Sequence, residues 1–198
     1  MFSDARSKRV VFCAHCMLNQ NSISDGTADF EAANRDIIEV IYNAGVGIVQ
    51  MPCPELMCLG LDRGDKDGAK REVTAENTRI RREMLKKENV LKMNILVDMV
   101  MTQIREYRKN GFEILGIIGS DRSPCCGVNT TSDNDVEIEG KGVFIEALCK
   151  ALSDENIDIP VIGIKADKSY IGKIAEKIGL VSYYKHKICA NIEKYIEK

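Results

Sequence analysis

Short apolar runs alternate with longer stretches of helical periodicity along this chain. Residues 9–14, 46–51, 112–118 and 161–164 are rich in Val and Ile and are bounded by turn residues, which predicts buried strands. A shorter run at 180–184 predicts a fifth. Helical spacing fills the intervals. Ile37, Val40, Ile41 and Ala44 fall on one stripe of a helix expected over 29–44, and Gly45 stops it. The region 74–110 carries two stripes, Ile80, Met84, Leu91 and Ile95, then Val97, Val100, Met101 and Ile104. Their different registers predict two helices or a bend near 90–94. Phe144, Ala147, Leu148 and Ala151 line one face of a helix over 143–152, and further helices are expected at 169–178 and 188–196. Pro160 opens the strand at 161–164, a position where a strand tolerates proline. Residues 56–71 are rich in Gly and Asp and lack periodicity, and a loop of that length is usually functional. Residues 130–139 are polar and acidic.

Strand and helix alternating in this way argue for a parallel sheet covered on both faces. The near-continuous apolar strands agree, because a sheet with two covered faces has no solvent side. The expected fold is α/β, a three-layer open parallel sheet of about four to five strands with helices on both faces, in strand order 2-1-3-4. One domain spans 1–198, with a long loop at 56–73 and a helical tail at 169–198. In such sheets ligands bind beyond the C-terminal ends of the strands.

Composition changes this picture little. The 198 residues are 44% hydrophobic and 29% charged, with 28 basic against 30 acidic side chains. That balance favours neither nucleic acid nor an anionic membrane as partner. No stretch reaches the roughly 18 apolar residues of a membrane span. The polar start of the chain and the short run 10–12 do not resemble a signal peptide. The expectation is a cytoplasmic chain, in which eight cysteines are metal ligands, catalysts or small core residues rather than a disulfide framework.

Three of those thiols follow predicted strands directly. Cys16 follows the first, Cys53 the second, and Cys126 the third within Ser123-Pro124-Cys125-Cys126-Gly127. If the sheet is parallel, all three converge on one rim and can hold a metal or cluster. Cys149 and Cys189 lie on apolar helix faces, and Cys13 lies inside a strand, so core packing suits them. Cys58 and Cys125 fit either role. Cys13 and Cys16 have C-x-x-C spacing, but a redox pair needs a helix starting at the first cysteine, and Cys13 belongs to the strand. His15 is a possible ligand or proton carrier, and His186 sits on a charged tail. Glu55 lies two residues after Cys53, where a carboxylate beside a desolvated metal could move protons. Asn19, Asp25, Ser120 and Cys125 are candidate substrate-binding residues around the same rim.

These motifs resemble the TudS-like, thiouracil-desulfidase-related family. Its first strand ends in Ser-Ala-Cys-Leu, matched here by Ala14-His15-Cys16-Met17. An Asp-Gly turn follows, here Asp25-Gly26. Cys53-Pro54-Glu55 and Ser123-Pro124-Cys125-Cys126-Gly127 match the motifs after its second and third strands. The order agrees over roughly the first 165 residues. The resemblance implies a [4Fe–4S] cluster held by Cys16, Cys53 and Cys126, with one iron open to the sulfur of a small thiocarbonyl substrate. It implies a non-redox enzyme in which water replaces sulfur and hydrosulfide leaves. Glu55 would activate water or carry the proton, and Ser123 would orient the substrate. Three departures stand out: His15 replaces a small residue, Cys125 replaces serine, and the loop after Glu55 carries Cys58 in place of the usual glycine-rich pattern. Two other functions fit the residues alone. One is a structural metal module with a closed zinc site completed by His15 or Cys125. The other is a metal-free thiol or sulfur-transfer enzyme using Cys13 and Cys16, or Cys125 and Cys126.

Overall fold

The computed structural model describes residues 2–164. The helices expected at 169–178 and 188–196 and the strand at 180–184, with His186 and Cys189, lie outside the described residues. Strands β1 (Arg9–Cys13), β2 (Gly47–Gln50), β3 (Glu113–Ser120) and β6 (Val161–Ile164) form one four-stranded sheet in the order β2-β1-β3-β6. Every pairing is parallel. This is the expected α/β open sheet, with β6 as the fourth parallel strand. Cys13 is level with Gln50 on one side and Ile118 on the other, and Ser120 is level with Ile164. That register brings the chain out of β1, β2 and β3 onto one rim.

Burial explains why β1 is central. Val11, Phe12 and Cys13 are fully buried, as are Ile117 and Ile118 of β3. Each large apolar side chain of this kind contributes about 1.5–3 kcal/mol of burial. Helix α2 (Arg35–Asn43) connects β1 to β2, whereas α4 (Val73–Met84) and α5 (Lys87–Lys109) connect β2 to β3, and α6 (Val143–Asp154) precedes β6. Helix α2 packs against β2, and α5 packs against β3. Tyr107 of α5 meets Phe12 edge-on with ring centroids 6.1 Å apart, and α5 packs on α6. No described helix is long and apolar enough to cross a membrane.

Several boundaries differ from expectation for local reasons. Helix α2 starts at Arg35 rather than residue 29, because the Asn34 side chain caps it by accepting the Ile37 amide at 3.3 Å. The long helical region breaks at Leu85 and Lys86, not at 90–94. There the Asn89 side chain donates to the Glu83 carbonyl at 2.9 Å, satisfying an end of α4 without glycine or proline. The break rotates α5, so Leu91 and Ile95 are 59% and 63% exposed while Ile80 and Met84 are buried. Part of the expected loop is instead α3 (Pro54–Leu59). The acidic stretch after β3 forms a hairpin of β4 (Thr130–Asp133) and β5 (Val136–Glu139). Asn134 and Asp135, both at positive φ (48° and 63°), make the two-residue turn such hairpins favour.

Candidate functional site

The three strand-end thiols reach one cavity by three local devices. After β1 the ladder continues for one residue, with the Ala14 amide donating to the Ile118 carbonyl at 2.8 Å. A single helical turn, α1 (His15–Leu18), then carries Cys16. After β2, Cys53 sits at the cap of α3, its sulfur accepting the Leu56 amide at 3.4 Å, and Pro54 fills the first helical position, which suits proline. After β3 the chain folds back sharply, so that the Ser120 amide donates to the Cys126 carbonyl at 2.8 Å. Gly119 makes that approach possible, because a Cβ there would collide with the Cys126 carbonyl and Val128.

Cys16, Cys53 and Cys126 line a cavity of about 400 Å³ together with His15, Glu55, Arg63, Ser120 and Ser123. Cys125 is not on its wall. It is fully buried, and burial, with the nearby Glu55, raises its thiol pKa. Cys58 turns away, its thiol directed at the Asn89 carbonyl of α5 at 3.8 Å.

Glu55 is the polar centre of this wall and only 7% exposed. Its carboxylate accepts from Ser24 Oγ at 3.3 Å, Ser123 Oγ at 3.3 Å and Arg63 Nε at 3.0 Å. Ser123 also accepts the amides of Cys125 and Cys126, at 3.2 and 2.9 Å. One hydroxyl thus ties the carboxylate to the thiol-bearing turn. Asp121, also on the wall, is committed to the next stretch of the same turn, accepting the amides of Val128 and Asn129 at 3.1 and 2.9 Å.

Burial dominates the ionisation of the thiols. Cys16 is pushed up to about 12, first by burial and then by Cys53 and Glu55. Cys53 is pushed up to about 11 by burial and Glu55, against the Leu56 amide and the Arg63 charge. Burial likewise holds Cys125 and Cys126 well above an ordinary thiol, and pushes Cys13 up to about 12. Burial lowers His15, against a hydrogen bond to Met51. The cavity therefore holds neutral thiols unless a cation displaces their protons. Among the described residues, no three His, Cys, Asp or Glu side chains are grouped as ligands of a single metal ion.

Of the residues singled out from sequence, Cys16, Cys53, Cys126, Glu55, Ser120 and Ser123 share this cavity. Asn19 does not line it, because its side-chain oxygen accepts the Asn21 amide at 3.1 Å and caps a short 3-10 turn (Gln20–Ser22). Asp25 is exposed and faces a neighbouring hollow of about 480 Å³, shared with Ser24, Arg63, Asp65 and Glu76. Arg63, Ser24 and Asn77 also line the cavity but were not legible as site residues. The length of the loop was the one signal pointing at Arg63, and nothing distinguishes it there from the neighbouring charges.

Sheet order, rim and wall together define a parallel α/β protein with a thiol-lined pocket at the C-terminal ends of its central strands. The chain is 30% identical over 166 residues to the uncharacterized protein MJ0003 of Methanocaldococcus jannaschii, an overlap of 83% of this chain and 92% of that protein. It belongs to the family of that archaeal protein. No protein-family model matches the chain, and no solved structure matches it.

Proposed function

We propose that this protein is an iron–sulfur desulfidase of the TudS-like kind, hydrolysing the C=S bond of a small thiocarbonyl compound. The single observation that carries this proposal is the presence of Cys16, Cys53 and Cys126, from three separate strand ends, on the wall of one cavity with Glu55. The donor set fits a cluster. Thiolates are the ligands of Fe–S centres, and soft sulfur donors suit iron. In a cluster each thiolate binds a different iron, so three thiols need to share a wall and not one coordination sphere. When bound, the [4Fe–4S] cluster would supply an iron with an open position, a Lewis acid for the substrate's sulfur.

The protein's own part follows from the carboxylate. The net reaction, C=S plus water giving C=O plus hydrogen sulfide, moves protons but no electrons. Glu55 can take a proton from the attacking water and return it to the departing sulfur. The Ser24 contact at 3.3 Å is long, so water can replace it, whereas Ser123 is held in place by the two amides it accepts. The Arg63 contact at 3.0 Å is shorter and buried, and keeps the carboxylate aimed. The metal-free thiol enzyme is poorly served by this site, since a nucleophilic cysteine needs a lowered pKa and every thiol here is raised.

Reconstitution with iron and sulfide under strict anaerobiosis tests the proposal. Brown protein with about four irons per chain and sulfide release from a panel of thiocarbonyl compounds are expected. Cys53→Ala should lose the iron, and Cys149→Ala, on α6, should keep it. A colourless, iron-free wild-type product would overturn the proposal.

A further inference from the structure

Arg63 is 2% exposed, and its guanidinium has no free donor. Nε donates to Glu55 at 3.0 Å, Nη1 to the carbonyls of Gly60 and Leu61 at 3.1 and 3.0 Å, and Nη2 to the Ser22 carbonyl at 2.5 Å and the Cys53 sulfur at 3.9 Å. Those are all five N–H groups of an arginine. The side chain lines the cavity, yet it has nothing left to offer a substrate anion. It can act on the chemistry only through the groups it holds, and these include the carboxylate and one of the thiols.

The backbone at Arg63 is held in place as well. Its φ is +55°, between Gly60 at +90° and Gly64 at +73°, a conformation that L side chains rarely adopt. Arg79 of α4 donates to the Arg63 carbonyl at 3.0 Å. Arg79 is itself clamped by Glu76 at 2.6 Å, and Glu76 by Arg71 at 2.9 Å. The long loop is thus built so that one guanidinium reaches the site from behind.

We infer that Arg63 is a positioning residue, which fixes the Glu55 carboxylate at the cavity wall and stands as counter-cation beside the Cys53 sulfur. Its effect on rate rests on the desulfidase proposal. Its coupling to Glu55 does not. Lysine is a poor substitute, because a compact ammonium cannot reproduce the planar fork.

A double-mutant cycle tests this. In reconstituted enzyme, Arg63→Met should lower kcat roughly 100-fold, the scale of a misplaced catalytic group, while KM stays within about threefold. The double variant Arg63→Met, Glu55→Gln should fall no further than Glu55→Gln alone. In iron-free protein, Arg63→Met should melt below wild type, and adding Glu55→Gln should restore at least half the loss, because an unpaired buried carboxylate is removed. Arg63→Lys, which keeps the charge and folds more readily, should show the same kcat defect at smaller size. Losses that multiply in the double variant, or melting shifts that simply add, would overturn the inference. If wild-type protein releases no sulfide, the desulfidase proposal fails, and the iron-free melting cycle alone decides whether Arg63 and Glu55 are coupled.

Discussion

Ser123 Oγ donates to Glu55 Oε1 at 3.3 Å across 68 residues of chain, joining the turn after β3 to the helix after β2. Because the same oxygen receives the amides of Cys125 and Cys126, the carboxylate and the third thiol are set by one hydroxyl.

Ser123→Ala should therefore act twice. It leaves two amides without their acceptor and deprives Glu55 of a donor, at a cost of about 1–3 kcal/mol for each buried group left unpaired. A lower urea midpoint and weaker iron retention than wild type are expected. A variant with unchanged stability and unchanged iron content would remove Ser123 from this role.

Gly119→Ala tests the fold-back of the same turn. The added methyl meets the Cys126 carbonyl and Val128, and overpacking of this kind costs about 1–3 kcal/mol. Since the turn must open, Cys126 should be alkylated faster than in wild type, which peptide mapping after a timed pulse of iodoacetamide would read.

Glu76 makes stability pH-dependent at the acid end. Burial raises its pKa, but hydrogen bonds and charge from Arg79 and Arg71 outweigh that and leave it below the ordinary 4.5. A depressed carboxylate stabilises the fold fully above its unfolded pKa and loses that contribution as pH falls through the folded value. The urea midpoint should drop below about pH 4.5. The gap between wild type and Glu76→Gln, constant at neutral pH, should narrow over the same range.

The rotation of α5 makes opposite predictions for residues that look alike in sequence. Leu91→Lys and Ile95→Glu should each change stability by no more than about 0.5 kcal/mol, because both side chains are solvent-facing. Met84→Ala should cost about 2–5 kcal/mol, because Met84 is fully buried. Chemical denaturation of the three variants separates them.

Much of the fold was visible in the hydrophobic pattern. β6 lies where the run after Pro160 predicted it, and β1, β2 and β3 match their runs to within two residues at either end. Parallel strands buried on both faces write themselves into sequence as unbroken Val and Ile. Helix ends were less legible. Asn34 and Asn89 stop or start helices by side-chain hydrogen bonds, and a lone asparagine carries no mark of which amide or carbonyl it will meet. The stripe that joined Ile80 and Met84 to Leu91 and Ile95 assumed one continuous helix, and the break at Leu85 and Lys86 turned its second half outward.

The site divides in the same way. Cys16, Cys53 and Cys126 could be assigned to one rim from sequence, because each is tied within a few residues to the end of a strand and parallel strands end together. Which of Cys125 and Cys126 faces the cavity was settled only by the fold-back over Gly119. The buried partnership of Glu55 with Arg63, Ser24 and Ser123 also belongs to the tertiary structure. Local sequence dictates periodicity and where an element ends, whereas the meeting of a loop arginine with a carboxylate eight residues earlier depends on a backbone path that only long-range packing holds in place.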